Sequence, residues 1–212
     1  MNNILIFGIL YNLSINSYGA INNEVHYQES IDKVLVAVID TGADITHKDL
    51  KKFIWLNEGE SGKDSYDRDK STNGVDDDMN GCIDDLHGWN FANNSNDLSD
   101  FDGHGTHITG IIKNQFQKQK RNPKQKYSLQ MMIVKYYDPK AEDSKNIVNT
   151  IKAIRYATQM KARLINYSGG GAQKNLMEYQ AIQQAGQKEI LFIAAAGNNK
   201  TDTDDTKFYP AI

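Results

Sequence analysis

The sequence predicts a three-layer α/β domain, with a largely parallel sheet and helices on both faces. Two observations carry that expectation. Four short apolar runs recur along the chain, at Lys33–Ile39, Leu129–Val134, Ala162–Tyr167 and Ile190–Ala196. Continuous runs of this kind, rich in β-branched residues, are what strands buried on both faces require. Segments of helical periodicity lie between them, and strands alternating with helices favour a parallel sheet covered by helices.

The first run is the clearest and ends at Asp40-Thr41-Gly42. A long polar excursion rich in Asp, Asn, Gly and Ser then extends from Asn57 to Asp102, and long ordered loops of this sort are usually functional. His104 is expected to open a helix running through Ile111 and Ile112. After the second run, Ile147, Val148, Ile151, Ile154 and Ala157 share one helical face, with Ser144 as the expected cap. After the third, Asn175 followed by Glu178 forms a capping-box pattern, and Gly186 stands where that helix should stop. No internal repeat or long linker divides the chain.

Composition narrows the function classes. The chain has 212 residues, 39% hydrophobic and 24% charged, with a formal net charge of −3. That is a single globular domain with no field to draw nucleic acid. Cys82 is the one cysteine, so no disulfide forms within the chain, and bound metal is the usual substitute if the protein is exported. The apolar stretch Ile4–Leu13, followed by small residues through Ala20, reads as a signal peptide over residues 1–20 that lacks its basic start. It is too short for a stable membrane span. Residues 21–212 then form the domain proper, expected to be secreted or extracytoplasmic and monomeric when complete.

Three polar positions follow or end predicted strands: Asp40, Ser168 and Asn198. In open parallel sheets ligands bind beyond the carboxyl ends of strands, so these positions tend toward one rim. His104 is flanked by Gly103 and Gly105, which let backbone pass close to the imidazole. Each residue alone is more often a turn or cap residue. The combination Val38-Ile39-Asp40-Thr41-Gly42, His104-Gly105-Thr106-His107 and Ala195-Ala196-Gly197-Asn198, in that order, resembles the sequential motifs of subtilisin-like serine endopeptidases. Asp44–Leu50, His87–Phe91 and Ile165–Gly170 extend the resemblance over essentially all of Lys33–Ile212.

That resemblance implies roles. His104 is the general base, Asp40 its orienting partner, and Asn198 the donor to the oxyanion. Ser168, Gly169 and Gly170 line a polypeptide substrate that pairs as an added strand. Gly169 departs from the family, which commonly has a bulky apolar residue there, and a looser substrate wall is the expected consequence. His107 is expected to point into the domain as a structural residue. No Gly-Thr-Ser segment, which presents the family's nucleophile, occurs in the sequence. The domain is therefore expected to be incomplete at its C-terminus and this chain alone inactive. Three readings follow: a piece of a working endopeptidase, a calcium-stabilised peptide-binding or complementing fragment, or a nucleotide-binding α/β domain. The last lacks any Gly-rich phosphate motif after a predicted strand.

Asp76, Asp78, Asn80, the Cys82 carbonyl and Asp84 place oxygens at alternate positions, with Gly81 at the sharp turn. That is the opening of a calcium loop, although His87 stands where a closing Glu would be expected. A solvated acidic turn is the alternative. The resemblance favours calcium, because many subtilisin relatives hold structural calcium in such a loop. Asp49 is a weaker candidate for a second site.

Overall fold

The computed structural model describes residues 32–119, 127–198 and 207–211; the signal-like stretch lies outside them. Five strands form one sheet: β1 (Asp32–Asp40), β2 (Gly88–Asn90), β3 (Tyr127–Lys135), β4 (Leu164–Tyr167) and β5 (Leu191–Ala194). Their order is β2-β3-β1-β4-β5, and every ladder is parallel. Three helices connect them: α1 (His104–Gln119), α2 (Asp143–Gln159) and α3 (Leu176–Gln187).

Alternation along β1 builds the three layers. Leu35, Ala37 and Ile39 face one side, where Ile151, Ile154 and Ala157 of α2 and Ala181 and Ala185 of α3 cover them. Val36 and Val38 face the other, against Ile108, Ile112 and Phe116 of α1. Because successive strand side chains point to opposite faces, a one-residue slip would exchange the two cores. Ile39, Met131, Met132, Ile133, Ile154 and Ile165 are completely buried, each worth about 1.5–3 kcal/mol relative to exposure.

Some expectations shift. Ser144 does not cap α2: Glu142 does, in an extended conformation, through its backbone carbonyl to the amides of Lys145 and Asn146. The Asn175 side chain does cap α3, accepting from Met177 N at 2.9 Å and Glu178 N at 3.1 Å. Gly186 falls inside the last turn of α3, and the left-handed position is taken by Glu189 at φ 60°. β2 is three residues long and pairs with β3 from within the polar excursion, too short for a periodic pattern to announce. β5 is an edge among the described strands, with Leu191 59% and Ile193 44% exposed. No helix among the described residues is long and apolar enough to cross a membrane.

Candidate active site and acidic cluster

β1 lies in mid-sheet, with β3 on one side and β4 on the other, so the chain order reverses beside its carboxyl end. Asp40 is the last residue of that strand. Its side chain is almost wholly buried, and its Oδ1 accepts from His104 Nδ1 at 2.7 Å and from Thr41 N at 2.8 Å. Oδ2 is buried with no partner. His104 is the first residue of α1 and its side chain is 48% exposed, so the ring faces solvent while one nitrogen faces the carboxylate. The hydrogen bond to Asp40 raises the imidazole above its usual range against the opposing effect of burial, and the charges of Asp40, Asp102 and Asp100 add to the rise.

Two glycines and one aspartate place the ring. Gly103, at φ +88°, turns the chain into α1. Gly105 has no room for a side chain: a Cβ there would stand 2.1 Å from the Gly42 carbonyl oxygen and 3.1 Å from the Asp40 Cβ. Asp100 ties the surrounding turns together. It accepts from Thr41 Oγ1 at 2.9 Å, Gly103 N at 2.9 Å, Thr106 N at 2.8 Å and Thr106 Oγ1 at 2.6 Å. Burial alone would raise its carboxyl, but these hydrogen bonds together hold it below the ordinary range. Thr41 Oγ1 in turn accepts from Gly105 N at 3.0 Å. Asp100 was legible only as a carboxylate four residues before His104. His107, expected to point inward, is exposed; Gly105 and Thr109 are the buried residues of that helix.

Ser168 directly follows β4, and its hydroxyl accepts from Asn166 Nδ2 at 2.9 Å. Asn198 is exposed, four residues beyond β5. Because all strands are parallel, Asp40, Ser168 and Asn198 leave the same edge of the sheet from three adjacent strands, β1, β4 and β5. The wall at Gly169 is not loose. A Cβ there would meet the Tyr136 hydroxyl at 2.3 Å and Tyr167 Cε2 at 2.8 Å. Tyr136 and Tyr167 pack edge to face, 5.4 Å between centroids, and occupy the volume that a bulky residue 169 would take.

The acidic loop is organised around itself and one buried neighbour. Asp76 accepts from Asn80 N at 3.0 Å and Gly81 N at 2.8 Å. Asn80 Oδ1 accepts from Cys82 N at 2.7 Å, and Asp84, at φ 55°, accepts from Gly74 N at 3.0 Å. Cys82 is buried, and burial together with the nearby carboxylates pushes its thiol up to about 12, which leaves it inert. Of the five expected ligands, Asp78 joins the tight carboxylate cluster, whose other members are Glu60 and Asp85. Their ligand oxygens lie within 4.8 Å of one another. Asn57 Nδ2 donates to Asp78 at 3.0 Å and to Asp85 at 2.8 Å. Asn80 and Tyr156 also donate to Asp85.

Glu60 and Asp85 are fully buried. Glu60 Oε1 accepts from Asp77 N at 2.8 Å, whereas Oε2 has no partner. Burial, reinforced by neighbouring carboxylates, raises Glu60 to about 7 and Asp85 to about 6. Three carboxylates at this spacing cannot all stay ionised without a cation, since like charges and desolvation both oppose it. The orphaned Glu60 oxygen and the all-oxygen donor set fit a hard divalent cation. Sequence reasoning missed Glu60, which stands 16 residues before the Asp76–Asp85 run; only the fold brings it there.

A Subtilase family model matches residues 32–211. Subtilisin-like protease 1 of Plasmodium berghei is 33% identical over 174 residues, which is 80% of this chain and 26% of that protein. The chain thus spans about a quarter of that relative's length. Among solved structures, a lanthipeptide protease aligns with a TM-score of 0.57 at 24% identity, covering 87% of this chain and 47% of its own. Fervidolysin from Fervidobacterium pennivorans, described as a keratinolytic enzyme related to subtilisin, aligns at 0.53 and 21% identity over 85% of this chain and 23% of its own. At these identities the structural likeness speaks for the fold.

Proposed function

This chain belongs to the subtilase family, and from that premise we propose that it supplies the base-and-orienter half of a serine endopeptidase that hydrolyses polypeptides. The observation that carries the reading is the 2.7 Å contact between Asp40 Oδ1 and His104 Nδ1, formed by residues 64 positions apart at the sheet's switch point. A serine hydroxyl needs a base to take its proton. With Nδ1–H held by Asp40, the lone pair of the imidazole is on Nε2, on the solvent side. Nε2 takes the proton from the serine as the hydroxyl attacks the scissile carbonyl, and later returns it to the leaving amine. Asp40, buried at the strand end, fixes that tautomer and stabilises the imidazolium.

In this reading Asn198 donates to the oxyanion, and Ser168–Gly170 pairs with substrate backbone. The nucleophilic serine is assigned outside this sequence. Calcium, held by Asp78 with Glu60 and Asp85, would neutralise the buried carboxylates and brace the loop that leads to β2. Asp76, Asn80 and Asp84 shape that loop through backbone amides. The leader-like stretch supports export, and we take the enzyme as monomeric.

The test is hydrolysis of an unfolded polypeptide by the protein that contains this chain. Asp40→Asn is expected to lower kcat roughly 10⁴-fold, the effect of the equivalent change in the serine-protease triad. His104→Ala should do at least as much, and the double variant little more. Turnover that survives either substitution refutes the assignment.

A further inference from the structure

The chain leaves β4 into Ser168–Gly170 and leaves β5 into Ala195–Asn198. These strands are neighbours, in register at Tyr167 and Ala194. Between the two exits lies the ring of Phe208. A Cβ on Gly170 would stand 2.5 Å from Phe208 Cε1 and 2.9 Å from Cζ; a Cβ on Gly197 would stand 3.2 Å from Cδ2 and 3.3 Å from Cγ. One edge of the ring therefore faces one exit and the other edge faces the second. An antiparallel bridge fixes it there, with Gly171 N donating to Tyr209 O at 2.9 Å and Tyr209 N to Gly171 O at 2.8 Å.

We propose that Phe208 closes the slot between the two substrate-facing strand ends, so that the polypeptide residue seated there is small: Gly, Ala or Ser. The inference rests on the endopeptidase reading for what occupies the slot, but the closure comes from Phe208 itself. Its half-buried ring fills volume that glycines on both sides leave open. A bulky substrate side chain would have to displace a ring whose backbone neighbour is tied, and such overpacking is destabilising. Discrimination in apolar pockets runs roughly tenfold to two-hundredfold per methylene-sized difference, so a phenyl group against a methyl should lose at least about tenfold in affinity.

Fluorescein-labelled hexapeptides, each pair differing by Ala or Phe at one position, measure this by polarisation against the 212-residue chain. At one position the Ala peptide should bind at least about tenfold tighter. Phe208→Ala should abolish or reverse that preference. Phe208→Leu keeps an apolar contact if the smaller residue unfolds the chain, and should reduce the preference. A ratio unchanged in a folded variant overturns the role of Phe208 while leaving polypeptide binding intact. If no peptide binds either protein, both that reading and this inference fail.

Discussion

In Gly105→Ala the new methyl group would stand 2.1 Å from the Gly42 carbonyl oxygen and 3.1 Å from Oδ1 of Asp40. A Cβ essentially never approaches another heavy atom more closely than 3.0 Å, so the structure must recover nearly 1 Å. Neither neighbour is the free end of a flexible side chain. The Gly42 backbone leads into Ala43, whose amide donates to Leu98 O at 2.9 Å, and Asp40 closes the central strand. Relief therefore falls on the first turn of α1, which carries His104. Overpacking of this kind costs about 1–3 kcal/mol, and a displacement of about 1 Å at the reacting groups costs on the order of 10² in turnover. Urea unfolding followed through Trp55 and Trp89, with an NMR titration of the His104 ring, measures both consequences. The variant should lose about 1–3 kcal/mol, and its imidazole should titrate nearer the ordinary histidine range as the contact with Asp40 lengthens. A Gly105→Ala protein as stable as the parent, with the His104 titration unmoved, would refute the close-approach argument.

Asp100→Ala removes hydrogen bonds to Thr41, Gly103 and Thr106 at once. It should cost about 1–3 kcal/mol and speed amide exchange at residues 103–106; unchanged exchange would show that the turn holds itself. The acidic cluster predicts a pH dependence in metal-free buffer. Glu60 at about 7 and Asp85 at about 6 stay protonated in the native state over a range where unfolded carboxyls, ionising near ~4, have released their protons. Their stabilising contribution is thus complete below about pH 4 and is lost as pH rises to about 7, at up to about 1.4 kcal/mol per pH unit for each proton. Urea midpoints taken with a chelator between those limits should fall with pH, and Glu60→Gln should flatten the decline. Added calcium should raise the midpoint most at the upper end, and its failure to do so would exclude the cluster as a cation site.

Local pattern determined a great deal about this protein. The apolar runs specified four of the five strands because a strand buried on both faces has no polar positions to spare. The motif order around Asp40, His104 and Asn198 specified the family, and the Asn175 cap was readable because a side-chain cap is a contact within three residues. Tertiary structure decided the rest. That His104 meets Asp40 depends on β1 lying between β3 and β4, and on Gly105 letting the helix abut the strand; no window of sequence contains both partners. Glu60 enters the carboxylate cluster, Tyr136 fills the space above Gly169, and Phe208 spans the gap between Gly170 and Gly197 for the same reason. Each is a contact between residues 11 to 38 positions apart, whose cost and benefit are set by packed volume and desolvation, quantities that exist only once the chain has closed on itself.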